Sequence, residues 1–274
     1  AYYHMGYDHD PANGNAARGA LFEPAATNLL LNSGTLATQN VTTSATPYTL
    51  HFTGTGTITL SGTSTAGPLV GTGTGEANRV SLTFTPTAGT LTLTVSGTVT
   101  NAQIETGSNP SSYIPTLGAT VARTADNLTF GSGGLPFPGY DGTKGTFVLR
   151  GRWKHNDAAT AYMLGGDTSS TAFVYQVTTD GTSLRATDGT GTIEKTAVFT
   201  DDTDITSVMS WLESGAFNIL ADGSAEATES LTGDMATPTI SIGSLNGANG
   251  MLGTIESITY YPTQLTLAER QALT

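Results

Sequence analysis

The chain has 274 residues, a net charge of −12 and no cysteine, with 37% hydrophobic and only 12% charged residues. The acidic balance and the lack of a basic stripe argue against a nucleic-acid or anionic-membrane partner. No apolar run approaches 18 residues, which predicts no bilayer-spanning helix, and the missing cysteines exclude disulfides and thiolate metal sites.

The length suits two ordinary domains or one large all-β domain. Polarity comes from Thr, Ser, Asn and 34 glycines rather than from charge. Threonine suits a pleated surface and glycine suits tight turns, so the composition leans to short strands. The opening AYYHMGYDHD has no signal-peptide character, and the start at Ala1 fits a processed chain or a fragment.

In chain order, Asp10-Pro11 and Asn13-Gly14 read as turn signals. Leu29, Leu30 and Leu31 form a short apolar run predicted to be buried. From Tyr48 to Ile104 the pattern is strand after strand. Ile58 and Leu60 share one face, as do Val80, Leu82 and Phe84, and then Leu91, Leu93 and Val95. Such period-2 alternation with polar partners predicts half-buried antiparallel strands of a sandwich or jelly roll.

Residues 131–145, GSGGLPFPGYDGTKG, interrupt the alternation with six glycines and two prolines, and read as a linker. Beyond them Phe147, Leu149 and Trp153 fall on one strand face, and Val148, Arg150, Arg152 and Lys154 on the other. AFVYQVTTDGTSLRAT carries a hairpin signal at Asp180-Gly181. SVMSWLESGAFNILADGS predicts two strands joined at Ser214-Gly215. In the tail, Thr266 and Glu269 form a capping box that opens a short closing helix, with Leu267 and Leu273 on one face. No fixed-period repeat is present.

Three stretches resemble the laminin-G-like, or concanavalin-like, jelly rolls: FNILADGS from Phe217, GMLGTIESITYYP from Gly250, and the closing TQLTLAERQALT. The first half resembles a module of bacteriophage and prophage fibre or spike proteins and of related gene-transfer particles. The matching residues are Asp8, Asp10-Pro11, Arg18-Gly19, Glu23, Asn28-Leu29-Leu30, Tyr113-Ile114-Pro115-Thr116, Arg123 and Ala125-Asp126. Ala26 stands where that pattern usually has Arg, and the pattern leads one to expect a further segment before residue 1. The resemblance implies a carbohydrate-binding jelly roll whose last strand, around Ala102 to Glu105, leaves through a Gly-Ser-Asn-Pro turn. Tyr113 and Ile114 would then tuck back onto the sandwich.

Catalytic chemistry is sparse. The histidines are His4, His9, His51 and His155, and no H-E-x-x-H, G-x-S-x-G or phosphate loop appears. Asp8-His9-Asp10 reads as an Asp-capped turn rather than a metal site. Glu226 and Glu229 are spaced wrongly for the paired carboxylates of a glycosidase on one strand face. Asp201, Asp202 and Asp204 in TDDTD offer an oxygen cluster for calcium, weighed against a solvated turn. Sugar binding needs flat apolar rings beside polar groups. Tyr162, Tyr175, Trp153 and Trp211 are the candidates in the second half, although alternation places Trp153 and Tyr175 on core-like faces.

The sequence thus predicts an all-β chain of two tandem antiparallel β-sandwich (jelly-roll) domains with a short C-terminal helix. Residues 1–130 are expected as a carbohydrate-binding-module-like sandwich, 131–145 as a linker and 146–274 as a laminin-G/concanavalin-like jelly roll. The expected function is a non-catalytic virion-surface fibre or spike protein. It would act outside the cell, bind host or environmental polysaccharide, and assemble as a homo-oligomer with other virion proteins. No cofactor other than calcium is implied. A purely structural virion component and a secreted polysaccharide-degrading enzyme stay open as alternatives.

Overall fold

The computed structural model describes residues 7–10, 16–131, 139–154, 161–166, 174–177, 183–187, 191–196, 200, 202–213, 215–222, 225–230, 235, 239–244 and 250–274. The chain opens with β1 (Tyr7–Asp10) and β2 (Ala16–Phe22). It continues through β3 (Ala26–Asn28), β4 (Gln39–Thr43), β5 (Tyr48–Gly54), β6 (Thr57–Gly62), β7 (Leu69–Val70), β8 (Val80–Phe84), β9 (Gly89–Ser96), β10 (Val99–Thr106) and β11 (Val121–Arg123). Then follow β12 (Leu128–Phe130), β13 (Lys144–Lys154), β14 (Ala161–Gly166), β15 (Val174–Val177), β16 (Leu184–Thr187) and β17 (Thr192–Lys195). The last elements are β18 (Thr203–Leu212), β19 (Ala216–Ala221), β20 (Ala227–Ser230), β21 (Ile240–Ile242), β22 (Leu252–Tyr261) and helix α1 (Leu267–Gln271).

The fold is all-β, as expected, but the chain divides differently. One compact unit is discontinuous, Ala1–Pro24 with Ala125–Thr274, and the other is Ala25–Thr124. The expected division at residues 130 and 146 does not match, because strands at both ends of that first stretch pair with the second. Ala20, Leu21 and Phe22 pair with Ile255, Thr254 and Gly253 of β22, and β12 pairs with β21. Phe22 is 2% exposed in the core of this unit. Gly19 lets β2 come close: any Cβ there would run into the Ile255 carbonyl. Asp126 and Glu23 lock the two chain crossings, with Glu23 N donating to Asp126 Oδ2 and Asp126 N to Glu23 O, both at 2.9 Å.

The discontinuous unit stacks a seven-stranded sheet, β1-β2-β22-β13-β18-β19-β20, and a six-stranded sheet, β12-β21-β14-β15-β16-β17, around one apolar core. Phe147, Leu149 and Trp153 of β13 point into it, as their alternation predicts. On the other face, Val148, Val208 and Leu220 pack with Tyr261 and with Leu273 beyond α1. The helix starts at Thr266 with the predicted capping box. Leu267, expected to cover a face, is exposed, and it is Arg270 that is buried. Arg270 pairs with Glu226 Oε1 at 2.7 Å and donates to the Leu265 carbonyl.

Residues 139–145 are not a free linker. Tyr140 is buried against Phe147, Trp211 and Tyr260, and its hydroxyl donates to Met235 O at 2.6 Å. Trp211 Nε1 and Met235 N both donate to Gly142 O. Lys144 and Gly145 already belong to β13; residues 132–138 of the expected linker lie outside the described residues. The Asp8-His9-Asp10 run is strand rather than turn, with a β-bulge between Asp8 and His9. The β15–β16 and β18–β19 pairs form as predicted; the Asp180-Gly181 turn and Ser214 lie outside the described residues.

In the continuous unit, a four-stranded sheet (β4-β9-β6-β7) faces a three-stranded one (β10-β5-β8), and a short β11-β3 ladder joins the segments at its ends. Leu50, Phe52, Ile58, Leu60, Leu91 and Leu93 fill its core. Of the Leu29–Leu31 run only Leu30 is fully buried, and Leu31 is exposed. Ile114 is buried, as the tucked-back segment predicts; its amide donates to Gln103 Oε1 at 2.6 Å. Tyr113 shares a 2.7 Å hydrogen bond with Ser33 Oγ.

Candidate functional site

Side chains alternate across the six-stranded sheet. Leu164, Ala186 and Ile193 face the core, so the neighbouring row of pairs lies on the open side. One cross-strand row runs Tyr162–Gln176–Arg185–Glu194 over β14 to β17. Tyr162 and Arg185 are half-buried and Glu194 exposed, on the face away from the core. Arg185 Nη2 lies 3.3 Å from Glu194 Oε2, and Arg185 Nε donates to no group. Neighbouring strands sit about 4.8 Å apart, so the row sets a ring, a guanidinium and a carboxylate along roughly 14 Å. Such a row can do what sugar recognition requires: the ring meets apolar C–H faces, and the charged groups bind hydroxyls.

The other candidates separate clearly. Trp153 and Trp211 are each 2% exposed, so neither offers a face to a ligand. Trp211 stacks on Phe147 with ring centroids 5.5 Å apart. Tyr175 belongs to β15, where it pairs with Leu164 and Ala186. Tyr162 reaches the open face. Gly165 and Gly166, which follow it, belong to β14 and pair with Ser241 and Ile240.

The calcium candidates are taken up by cations. Asp204 accepts from Arg152 Nε at 2.8 Å and Nη2 at 3.0 Å. The hydrogen bond from Arg152 holds its carboxyl below the usual aspartate range. Asp202 pairs with Lys154 Nζ at 3.3 Å. Asp201 lies outside the described residues, and among the described residues no three His, Cys, Asp or Glu converge as a metal site. The polar face of β13 therefore explains two of the three aspartates in TDDTD. Sequence reading missed this because the partners sit some 50 positions upstream.

A second polar group, also missed, lies in the continuous unit. His51, Gln103, Glu105 and Ser111 are all buried, on the side of β5 and β10 away from the apolar core. Glu105 Oε1 accepts from Ser111 N at 2.7 Å and Gln103 Nε2 at 2.9 Å, and Oε2 accepts from Ser111 Oγ at 2.7 Å. His51 Nε2 is 3.4 Å from Glu105 Oε1. Serine, histidine and carboxylate meet here, but Ser111 donates to the carboxylate instead of the imidazole, which is not the geometry of an activated nucleophile. Elsewhere, an apolar cleft of about 440 Å³ in the discontinuous unit is walled by residues such as Phe22, Leu128, Phe130, Ile242 and Ile258. It offers little to a hydroxyl-rich ligand.

Comparison with protein families and with curated proteins finds no match. Among solved structures, the chain is similar to the CBM40 of Ruminococcus gnavus IT-sialidase, at 20% identity and a TM-score of 0.42, over 48% of this chain and 83% of that one. The same CBM40 bound to alpha2,3 sialyllactose gives 19% and 0.41, over 48% and 82%. A SAP-like pentraxin from Limulus polyphemus gives 15% and 0.38, over 47% and 68%. Likenesses at this level concern the sandwich fold alone.

Proposed function

We propose that this chain is a non-catalytic saccharide-binding protein of a virion surface, a fibre or spike, whose binding face is the open side of the six-stranded sheet. The observation that carries the reading is the row of Tyr162, Arg185 and Glu194 on one face. The ring supplies stacking, while the ion pair supplies donors and acceptors that exchange water for sugar hydroxyls at small net gain. Single-site binding is therefore weak, and several copies on one particle raise it by about 10²–10⁴. The assignment to a virion rests on the fibre-like motif of the first half. Its residues Glu23, Asn28, Ile114 and Asp126 serve as hydrogen-bonded ties of the fold rather than as ligands.

The test is retardation of the chain in gels cast with a panel of neutral and acidic bacterial polysaccharides. Wild type should be retarded by at least one without releasing reducing ends, and Tyr162→Ala should run freely. No retardation by any of them would leave the structural reading in possession. That reading has one observation in its favour: Leu31 and Leu117 are exposed on segments that the hydrogen bond from Gly118 N to Asn32 Oδ1 brings together, which leaves two apolar side chains open to a neighbouring chain. Reducing-end release would instead mark an enzyme.

A further inference from the structure

The polar cluster around Glu105 has a job beyond packing. Residues 107–116 form a strap over the outer side of the three-stranded sheet, and polar contacts hold its first part. Thr49 Oγ1 donates to Gly107 O at 2.8 Å, Thr83 Oγ1 to Ser108 O at 2.9 Å and Arg79 Nη1 to Ser111 O at 3.1 Å. The centre is Glu105, 2% exposed, with both oxygens occupied by Ser111. Residues 107–112 contribute no side chain to the apolar core of the unit, whereas Ile114 further along is buried and tied to Gln103 and Asn28. Release of residues 107–112 would therefore cost hydrogen bonds but almost no core burial, which is the signature of a locally opening segment.

The hydrogen bonds from Ser111 and Gln103 all use the Glu105 oxygens as acceptors. A protonated carboxyl would bring a donor into a site already filled with donors, so at least one of Ser111 N, Ser111 Oγ and Gln103 Nε2 would lose its partner. The titratable and charged groups facing Glu105 are few. From β5 comes His51, neither of whose ring nitrogens makes a hydrogen bond. One contact further out is Arg79, itself paired with Glu76 at 2.7 Å. The strap contributes no carboxylate or base.

We propose that Glu105 and Ser111 form an acid-releasable latch: when Glu105 takes up a proton, residues 107–112 leave the sheet and uncover Thr49, His51 and Gln103, while the sandwich stays folded. The direction of the titration agrees. Burial pushes the Glu105 carboxyl up, but His51 and the hydrogen bonds from Ser111 and Gln103 outweigh it, and the net lies below the ordinary glutamate value. The latch is then fully closed above that ordinary value and opens as the pH falls through the lower one.

Amide hydrogen exchange on the full chain, corrected for intrinsic rates and followed from pH 7 to pH 2.5, reads this directly. Protection at Ser111 should fall at least tenfold relative to Leu50 of β5 across the acid limb. Glu105→Gln should show low Ser111 protection at every pH, with Leu50 unchanged. Ser111→Ala, which keeps the backbone contact, should open at a higher pH than wild type and serves if Glu105→Gln does not fold. Loss of Ser111 and Leu50 protection together in wild type, or a wild-type pH profile in either variant, would overturn the latch.

Discussion

Asn28 and Ile114, 86 positions apart, are joined by a 2.8 Å hydrogen bond from Asn28 Nδ2 to the Ile114 carbonyl. The same fully buried amide donates to Ala102 O at 3.0 Å and accepts from Leu30 N at 3.1 Å. One side chain thus ties β3, β10 and the strap. Asn28→Ala would leave three buried groups unpaired, and each costs about 1–3 kcal/mol. Urea denaturation should show the continuous unit weakened by about 3 kcal/mol or more. A shift under 1 kcal/mol would mean that water replaces the amide.

Trp153 and Tyr162 separate the core from the open face of the sheets. Trp153→Ala should destabilise the discontinuous unit by about 3–5 kcal/mol, because a large ring buried between two sheets leaves a cavity. Tyr162→Ala should cost far less, since that ring is only partly buried. Thermal melts of both variants decide it; an unchanged melt for Trp153→Ala would place that ring outside the core.

Fragments test the division of the chain. Residues 25–124 should fold alone, with their own core and end ladder. Residues 125–274 without 1–24 should be markedly less stable than the same unit in the whole chain. They lose β2 and the burial of Phe22, a side chain worth roughly 1.5–3 kcal/mol. Equal denaturation midpoints for the fragment and the whole would restore the boundary suggested by the glycine- and proline-rich stretch.

The closing helix gives a prediction with a pH sign. Thr266→Ala should cost about 1 kcal/mol by removing the N-cap. The hydrogen bonds from Thr266 hold the Glu269 carboxyl below its ordinary value. This part of the cap is complete above the ordinary glutamate titration and is lost as the pH falls through the lower value. In Thr266→Ala an NMR titration should find Glu269 moved up toward the ordinary value; an unmoved titration would mean the box is not formed.

Much of the sandwich was legible from alternation alone. The inward faces of β6, β9 and β13 fall where period 2 puts them, because a half-buried strand must separate apolar from polar at every step. Partner choice was not legible. Nothing in Ala16–Phe22 says that it will pair with β22 rather than with a strand nearby in sequence. The glycines and prolines of 131–145 suggested looseness, yet Tyr140 and Gly142 anchor that region through one ring and one carbonyl. The candidate site was half readable. Tyr162 was visible as an aromatic residue, but Arg185 and Glu194 join it only through the register of four strands. The buried face of His51 and Glu105 was hidden for a related reason: alternation gives two faces, and only the strap decides that the polar one is covered.

The nesting of one unit within the other has a consequence in time. Phe22 must wait for Gly253, its pairing partner on β22. At about 5–20 residues per second of synthesis, roughly 10–50 s pass between their appearances. Within that interval the nested unit has all its strands and can finish folding, while β2 has only β1 beside it and lacks its partner β22 in the sheet it will join. A nascent chain of this design spends its youth with an apolar strand unclaimed, and its yield should depend on how well that strand is shielded until the last sheet is made.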